Sequence, residues 1–398
     1  MITLVNRFHI GRRSALCLVA ALAVGLAGCG SSGDGVSADT PWKVGIVTSF
    51  TGPANALGLE EIESYRLAVK LVNKSGGING RKVEIVEDDD QSQPQQAVTV
   101  VNKQISRDGV VGIVGGLSTG ATLAVKPIIE KSKVPLTVAA VGVDVTEGNP
   151  KYVFRSTISD RVSNSWLLDY LSQQGLSKLA LIYDSNAYGT GSADMVKELI
   201  DEKDGDVSVV AEKTFDTTDT DMRAQLTAIA ATKPDAIYVI GTNPGPALVI
   251  KQARELGIKA QIVGSTGILS DKTIEIGGTA AVEGMVVPGL GSAQHIRPEQ
   301  QEFVDAFREE YGRDPKGFEW LGDGMYLMLK ALENVEATPA DLQQAREQLR
   351  DALENDTKDV TWSSGPFNYG PDDHEGADER TIVPMTVRDG AFVPIDGK

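Results

Sequence analysis

Short apolar runs alternate with segments of helical periodicity along most of this chain. Residues 44–47 form the first run, and Tyr65 and Val69 then belong to a set of apolar residues that recur at a spacing of three or four. That spacing predicts a helix, which should end at the Gly76-Gly77 pair. Three more runs continue the pattern at residues 83–86, 110–114 and 135–138, with helical segments at about 95–107 and 121–132 between them. The alternation predicts an α/β fold with a parallel sheet covered by helices on both faces.

A second series of the same kind begins at residue 178. Its apolar runs lie at 178–183, 207–211, 236–240 and 261–263. Its helical segments lie at 191–202, 221–231 and 245–256. Two such series in tandem predict two Rossmann-like lobes. Open parallel sheets bind ligands at the carboxyl ends of their strands, so we expect a site between the lobes.

The order of the remaining segments indicates that the chain crosses between the lobes several times. Residues 284–290 are interpreted as a return crossing from the second unit to the first. Helices are expected near 297–311, 319–334 and 338–354, and hairpin strands at 381–387 and 391–394. We therefore predict a multi-crossing hinge. The predicted lobe boundaries are 42–159 plus 289–378 for lobe 1, and 160–288 plus 379–398 for lobe 2.

The N-terminus has the pattern of an export signal. Residues 1–28 carry three arginines followed by the apolar run 15–27, which is too short to remain in a bilayer as a spanning helix. Leu26-Ala27-Gly28-Cys29 resembles the lipobox of bacterial lipoproteins, which implies cleavage before Cys29 and lipidation of its sulfur. The alternative is an ordinary secretory signal with a chance cysteine. We predict an extracytoplasmic protein, lipid-anchored at the cell surface or in the periplasm, with 29–41 as a flexible tether.

Composition narrows the possible partners. The 398 residues carry a formal net charge of -17, and residues 1–28 contain no acid, so the remainder is still more negative. Nucleic-acid binding needs basic faces, and so does electrostatic adhesion to anionic lipid. We therefore expect no nucleic-acid partner, and we expect membrane attachment through acyl chains. Cys17 and Cys29 are the two cysteines, so a chain cleaved before Cys29 retains one thiol and no internal disulfide.

One motif raises the question of catalysis. Residues 116–120 read Gly-Leu-Ser-Thr-Gly between a predicted strand and a predicted helix, which is the context of a nucleophile elbow. A serine hydrolase would use Ser118 with a histidine, either His295 or His374, and His374 lies in what reads as a polar turn. The alternative is binding without chemistry: backbone N–H groups at a helix start, with the Ser118 and Thr119 hydroxyls, hold a carboxylate. We favour binding and predict no enzyme.

Other polar motifs do not indicate a cofactor. The acidic run 87–90 lacks the ligand spacing of a known cation loop and is interpreted as a solvated strand end. Gly189-Thr190-Gly191 lacks the third glycine of a dinucleotide fingerprint. We predict neither a metal nor a cofactor.

With these elements in place, the chain resembles the leucine/isoleucine/valine-binding proteins of bacterial ABC importers from Trp42 to the C-terminus. The residues that carry the resemblance include Gly52-Pro53, Gly58, Ala68, 73–80, Asp88-Asp89, Pro94, Ala97, 116–122, 137–140, 154–157, Tyr188-Gly189, Asp235 and 252–254. The resemblance implies a type I periplasmic-binding fold whose lobes close on a small molecule. It also implies an ABC permease and its ATPase as partners, and we expect a monomer. A ligand-sensing lipoprotein for a membrane receptor is the other open role.

The resemblance also implies a set of ligand-binding residues. The family's carboxylate-binding hydroxyl falls on Thr119, beside Ser118. Its backbone contacts fall on Ala139 and Ala140, and its aromatic lid residue falls on Tyr188.

Three positions depart from the family pattern. Val141 stands where the family has threonine, Thr242 where it has tyrosine, and Thr266 where it has the acid that pairs with a ligand ammonium. A buried ammonium without an anionic partner costs several kcal/mol. Either Asp160 or Glu319 supplies the missing charge, or the ligand is not a simple α-amino acid. We predict a small carboxylate or amide with an apolar tail, and a branched-chain amino acid is one such ligand.

Overall fold

The structure is a computed structural model, and it describes residues 40–203 and 205–395. The predicted signal peptide, the predicted lipidation residue Cys29 and most of the predicted tether lie outside these residues. Among the described helices, each falls short of the length and apolar character that crossing a bilayer requires.

Five parallel strands form the first sheet. They are β1 (Trp42–Thr48), β2 (Val83–Asp89), β3 (Gly112–Gly115), β4 (Leu136–Val138) and β5 (Val153–Arg155). Their spatial order is β2-β1-β3-β4-β5. Val44 and Ile46 face one side of β1 and Val47 faces the other, and all three are buried. The sheet is therefore covered on both faces, as the continuous apolar runs predict.

Helices connect the strands of this first lobe. They are α1 (Asn55–Lys74), α2 (Pro94–Lys103) and α3 (Thr119–Ser132). Tyr65 and Val69 lie on the buried face of α1. The helix stops just before Gly76 and Gly77, whose φ angles of 109° and 81° are readily adopted by glycine. The predicted end of this helix is confirmed.

A second lobe repeats the pattern. Its helices are α4 (Asp160–Gln173), α5 (Ala187–Lys203), α6 (Arg223–Ala231), α7 (Gly245–Glu255), α8 (Asp271–Gly277) and α9 (Thr279–Val282). Its parallel strands are β6 (Lys178–Asp184), β7 (Ser208–Phe215), β8 (Ala236–Ile240), β9 (Gln261–Gly264) and β10 (Val286–Gly289). Helix α5 begins a turn earlier than the sequence pattern predicts, which places Tyr188 in its first turn.

The chain then returns to the first lobe. The elements of this return are α10 (Gln301–Tyr311), a 3-10 turn (Gly317–Leu321), α11 (Asp323–Leu332), α12 (Leu342–Asp356), β11 (Phe367–Gly370) and β12 (Asp373–Ala377). Helix α11 packs on β3 and β4, and β12 packs against β5. The C-terminal helices thereby cover the first sheet.

Two final strands cross back to the second lobe. They are β13 (Val383–Arg388) and β14 (Ala391–Pro394), and β13 pairs antiparallel with β10. The second sheet has the order β14-β13-β10-β9-β8-β6-β7. The chain therefore passes between the lobes three times, after β5, after β10 and after β12. The exact residues at which the lobes divide stay a prediction.

The interpretation of residues 284–290 as a crossing is wrong. Most of this segment forms β10, which lies buried between β9 and β13. In the sequence, Pro288 makes a strand an unfavourable prediction, because proline has no backbone N–H to donate to a neighbouring strand. Here the pairing with β9 involves Val286, which lies before the proline, so Pro288 does not interrupt it. The crossing follows β10.

The acidic run at the end of β2 is also misread as solvated. Asp90 is fully buried and accepts a hydrogen bond of 2.7 Å from the Ser49 hydroxyl. Asp89 accepts from the Phe50 N–H at 2.9 Å and from the Thr51 hydroxyl at 2.6 Å. These bonds hold the loop between β1 and α1, and that loop forms one wall of the site described next.

Candidate functional site

A cavity of about 280 Å³ lies between the two lobes, at the carboxyl ends of their parallel strands. Both lobes contribute to its wall. The lining residues are Pro53, Ala54, Leu57, Ser92, Pro94, Leu117, Ser118, Thr119, Gly120, Ala139, Val141, Asn186, Ala187, Tyr188, Thr217, Thr242, Thr266, Gly267 and Phe318. All of the ligand-binding residues proposed from the sequence, except Ala140, therefore meet at one cavity. Their binding role stays a prediction.

The start of α3 forms the polar part of the lobe 1 wall. Ser118 precedes the helix and its side chain makes no capping hydrogen bond, while Thr119 is the first helical residue. The Thr122 hydroxyl donates to the carbonyls of Gly116 and Ser118 at 2.8 and 2.9 Å, which fixes the turn. The first N–H groups of a helix have no partner within it. This turn therefore presents N–H groups and hydroxyls to a ligand oxygen.

The loop after β4 packs directly on Thr119. A Cβ placed on Gly142 would lie 2.5 Å from the Thr119 methyl group and 3.0 Å from its hydroxyl oxygen. Glycine is needed there because any side chain would displace Thr119. Ala139 and Val141 line the cavity from this loop. Ala140 does not, because it points into the core with no exposed surface.

A buried arginine holds this loop from beneath. Arg155 donates to the carbonyl of Ala140, to the carbonyl of Gly142 at 2.9 Å and to the Thr146 hydroxyl at 2.8 Å. It also pairs with the partly exposed Glu375 at 2.9 Å. Arg155 thus positions the residues that line the cavity without lining it itself.

Lobe 2 contributes hydroxyl-bearing residues to the cavity wall, and three of them were predicted from the sequence. Tyr188, Thr242 and Thr266 all line the cavity. The Tyr188 hydroxyl is buried near Ser265, Thr266 and Gly267, and burial raises its pKa well above the ordinary value. Tyr188 is therefore a neutral phenol whose O–H can donate to a ligand oxygen. Gly267 packs on the Tyr188 ring, because a Cβ there would lie 3.0 Å from Cε1.

Three polar residues of the cavity wall, Ser92, Thr217 and Asn186, were not predicted from the sequence. Thr217 follows β7 and donates to both carboxylate oxygens of Asp184 at 2.8 and 2.9 Å. Asn186 precedes α5 and accepts from the Gly189 N–H at 3.0 Å. Thr217 and Asn186 each lie just past a strand of the second sheet, and that position is the signal that could have found them.

Most of the remaining wall contributed by lobe 1 is apolar. The apolar side chains come from four segments of lobe 1: Pro53, Ala54, Leu57, Pro94, Leu117 and Phe318. Phe318 belongs to the 3-10 turn that precedes α11, so it is far along the chain from Leu57, which it joins in this wall. An apolar ligand tail would be sequestered from water here.

Neither acid suggested from the sequence lines the cavity. Glu319 accepts from the Lys316 N–H at 2.8 Å and pairs with Arg313 at 2.7 Å, so its charge is already compensated. Asp160 is buried, and burial raises its pKa to about 7 against the opposing effect of the nearby Arg155. Its backbone N–H donates to the Val141 carbonyl at 2.8 Å, so it lies behind the wall. Among the described residues of the wall, none is Asp, Glu, Lys, Arg or His.

Neither His295 nor His374, the two histidines considered for a hydrolase, lines the cavity beside Ser118. His374 is not in a polar turn as interpreted: it lies in β12, is 2% exposed, and stacks on Phe154 with ring centroids 4.0 Å apart. Its Nδ1 faces the Val153 carbonyl at 3.2 Å and its Nε2 faces Glu354 at 3.4 Å. The burial of His374 is thus explained by its packing against β5. Among the described residues, no group of His, Cys, Asp and Glu is arranged to hold a metal.

Comparison with known proteins agrees with this architecture. The chain belongs to the periplasmic binding protein family, whose model matches residues 41–391. It is 28% identical to the leucine-, isoleucine-, valine-, threonine- and alanine-binding protein of Pseudomonas aeruginosa, over 75% of this chain and 78% of that protein. A Leu/Ile/Val-binding protein homolog of Brucella melitensis is 31% identical over 60% of this chain, and the match spans 64% of that relative.

A solved structure gives the same result for the fold. The branched-chain amino acid transporter substrate-binding protein of Streptococcus pneumoniae, in complex with isoleucine, superposes with a TM-score of 0.78 and 26% identity. The superposition covers 89% of this chain and 98% of that one. The two-lobed type I periplasmic-binding fold and the family resemblance, both predicted from the sequence, are confirmed.

The polar part of the lobe 1 wall leads to a first prediction. Thr119→Ala should weaken ligand binding by about 1–3 kcal/mol, because a buried ligand oxygen would lose its hydroxyl partner. Thr119→Ser keeps the hydroxyl and should bind within a few-fold of the wild type. Isothermal titration of both variants measures this, and an unchanged affinity in Thr119→Ala would refute the placement of the ligand oxygen.

Proposed function

We propose that this protein is the extracytoplasmic solute-binding component of an ABC importer of the branched-chain amino acid type. It captures a small molecule with a carboxylate or amide group and an apolar tail. The observation that carries this proposal is the interlobe cavity, which is polar at the start of α3 and apolar at Phe318 and Leu57. Its permease and ATPase receive the closed form.

The mechanism of capture is hinged closure. Three chain crossings join the lobes, so the lobes can rotate as units about a short set of backbone segments. Because the cavity wall includes residues of both lobes, a ligand held by Thr119 in lobe 1 and by Tyr188 in lobe 2 binds the closed form better than the open one. That difference in affinity shifts the population towards closure. No covalent step is required.

The proposal extends to the N-terminus. We propose that Cys29 is lipidated and that the following polar residues tether the two-lobed body as a monomer beside the membrane. A polar segment of this length permits a distance of roughly 20 Å between body and anchor. Radiolabelled palmitate should enter the wild-type protein in cells and should be absent from Cys29→Ser, whereas label in that variant would contradict lipidation at Cys29.

Import is favoured over sensing by the comparisons, since the matched Streptococcus pneumoniae protein is described as a transporter substrate-binding protein. A sensor lobe for a membrane receptor would use the same fold and the same closure. Deleting the gene should abolish uptake of the cargo if the protein serves import. Unchanged uptake with a lost transcriptional response would favour the sensor.

The charge of the cavity predicts which end group the ligand carries. Since the described wall has no acid, burying the ammonium of leucine should cost several kcal/mol, whereas 4-methylpentanoate, its des-amino analogue, avoids that cost. We expect 4-methylpentanoate to bind at least about tenfold more tightly than leucine in isothermal titration. Tighter binding of leucine would instead favour an α-amino acid as the cargo and contradict the expected end group.

A further inference from the structure

Glu60 contacts both lobes close to Phe318, which lines the cavity. Glu60 lies on α1 in lobe 1, and its Oε2 accepts from the Phe318 N–H at 3.0 Å, also in lobe 1. Its Oε1 accepts from the Ser270 hydroxyl of lobe 2 at 2.9 Å. Glu60 therefore makes a hydrogen bond across the cleft that exists only while the lobes are in contact.

The chain segments around this contact are tightly apposed. A Cβ placed on Gly317 would lie 2.3 Å from the Glu60 Oε2 and 3.0 Å from the Leu269 carbonyl oxygen of lobe 2. Gly317 has a φ of +51°, and no larger residue fits between these oxygens. Phe318 on one side and Gly267 on the other line the ligand cavity. Closure of the cavity and formation of the Glu60 contact thus involve the same segments.

Several charged residues of both lobes surround Glu60. Asp271 of lobe 2 forms an ion pair with Lys316, and Glu319 is held by Arg313. Asp314 and Glu275 border the same interlobe space. Asp314 pairs with Arg308, and Glu275 pairs with Lys272, so each of these four acids has a basic partner. The two charges that act most directly on Glu60, those of Glu319 and Asp271, are both negative. An additional negative charge on Glu60 is therefore unfavourable when the lobes are closed.

Burial raises the pKa of Glu60 to about 7, with smaller contributions of the same sign from Glu319 and Asp271. The hydrogen bonds from Phe318 and Ser270 act in the opposite direction and are weaker. Opening the lobes removes Ser270 and Asp271 and exposes the carboxylate, so its pKa should fall towards the ordinary value near 4.5. The closed form consequently binds the proton more tightly than the open form.

We propose that Glu60 is a proton-sensitive contact between the lobes, which makes closure, and with it ligand affinity, stronger in acid than in base. The inference uses the hinged closure that the proposed function requires, but it does not depend on the identity of the cargo. Because the proton is bound in preference by the closed form, the stabilisation of closure is fully present below pH 4.5 and is lost as the pH rises through 7. Between pH 8 and pH 6 the ratio of closed to open molecules should rise about tenfold.

Single-molecule energy transfer between dyes on the two lobes tests this without any ligand. Dyes are attached at Gln95→Cys on α2 and Ala228→Cys on α6, both exposed positions, in full-length protein that also carries Cys17→Ser and Cys29→Ser. The closed fraction should increase from pH 8 to pH 6 in the parent protein. In Glu60→Gln the side chain has no charge, its amide oxygen can accept from the Phe318 N–H, and its amide N–H can donate to the Ser270 oxygen. The closed fraction of this variant should be high at both pH values.

Two further variants test whether the pH response depends on Glu60 itself and whether closure depends on its partner in lobe 2. Glu63→Gln alters a carboxylate on the same helix that pairs with Arg313 within lobe 1, and it should retain the parent's pH dependence. Ser270→Ala removes the lobe 2 partner and should lower the closed fraction at both pH values. A pH dependence that persists in Glu60→Gln, or that is absent from the parent, would overturn the proposal.

Binding measurements separate this inference from the proposed function. Titration with leucine and with 4-methylpentanoate at pH 6 and pH 8 should show the bound compound gaining about tenfold in affinity at pH 6. If neither compound binds while the closed fraction still responds to pH through Glu60, the cargo assignment fails and the proton-sensitive contact stands. If a compound binds with the same affinity at both pH values and closure is unresponsive, the contact fails and the function stands.

Discussion

Replacing Thr266 with glutamate is expected to reverse the ligand preference of the cavity, from 4-methylpentanoate to leucine. Thr266 is 3% exposed and lies in the lobe 2 wall, at the position where the resembled family has its ammonium-pairing acid. A charge-assisted hydrogen bond contributes about 1.5–3 kcal/mol, which corresponds to a roughly 10- to 150-fold gain in affinity for leucine. The affinity for 4-methylpentanoate should fall, because its carboxylate and the introduced carboxylate would both be buried without a cation.

The control for this change is Thr266→Gln, which fills the same space without a charge. It should leave the ratio of the two affinities close to that of the wild type. Isothermal titration of both ligands against the wild type and the two variants gives one affinity ratio for each protein. A glutamine variant that shifts the preference as far as the glutamate variant would show that shape, rather than charge, selects the ligand.

Replacing Arg155 with methionine is expected to lower the free energy of unfolding by about 3–5 kcal/mol and to weaken ligand binding at least tenfold. The side chain has no exposed surface, and its removal leaves the carbonyls of Ala140 and Gly142 without their donor. Gly142 contacts Thr119, so a shift of this loop reaches the ligand-binding hydroxyl directly. Chemical denaturation and titration with 4-methylpentanoate measure the two effects.

A matched arginine on the surface provides the control. Arg161 forms ion pairs with Glu198 and Glu202, and all three side chains are substantially exposed. Arg161→Met should therefore change the unfolding free energy by only about 0–1 kcal/mol. Arg155→Lys keeps a charge but cannot reproduce the forked donors, so its losses should be intermediate. Equal stability of Arg155→Met and Arg161→Met would show that Arg155 does not hold the loop.

The local sequence pattern was sufficient to predict most helices and strands, and to predict the part of the cavity wall at the start of α3. The apolar runs of β1 and β6 are continuous because both faces of each sheet are covered, and this feature is visible in the sequence. Ser118 and Thr119 could be found because the start of a helix after a strand presents unpaired N–H groups regardless of the rest of the chain. The misread segments, β10 and β12, contain proline, glycine or clustered charge, so their strand pairing with distant segments outweighed local preference.

The rest of the site depends on segments that are far apart in sequence. Phe318 and Leu57 meet because the chain returns to lobe 1 after β10. Glu60 has the spacing of an ordinary surface acid on α1, and only the approach of Ser270 from lobe 2 gives it a partner across the cleft. Arg155 was noted as part of a motif, but its role follows from the three loop oxygens that surround it.

The sequence by itself determined two α/β lobes and a hydroxyl-rich turn at the start of α3, since each follows from the chemistry of neighbouring residues. The N-terminal export signal stays a prediction. Only the tertiary structure decided that the cavity between the lobes has no charged residue in its described wall, that Glu319 is engaged by Arg313 and Lys316, and that Asp160 is buried behind the wall. The reason is physical. The charge of a cavity depends on which side chains the folded chain brings to its surface and which it buries behind that surface, and spacing along the sequence does not fix either.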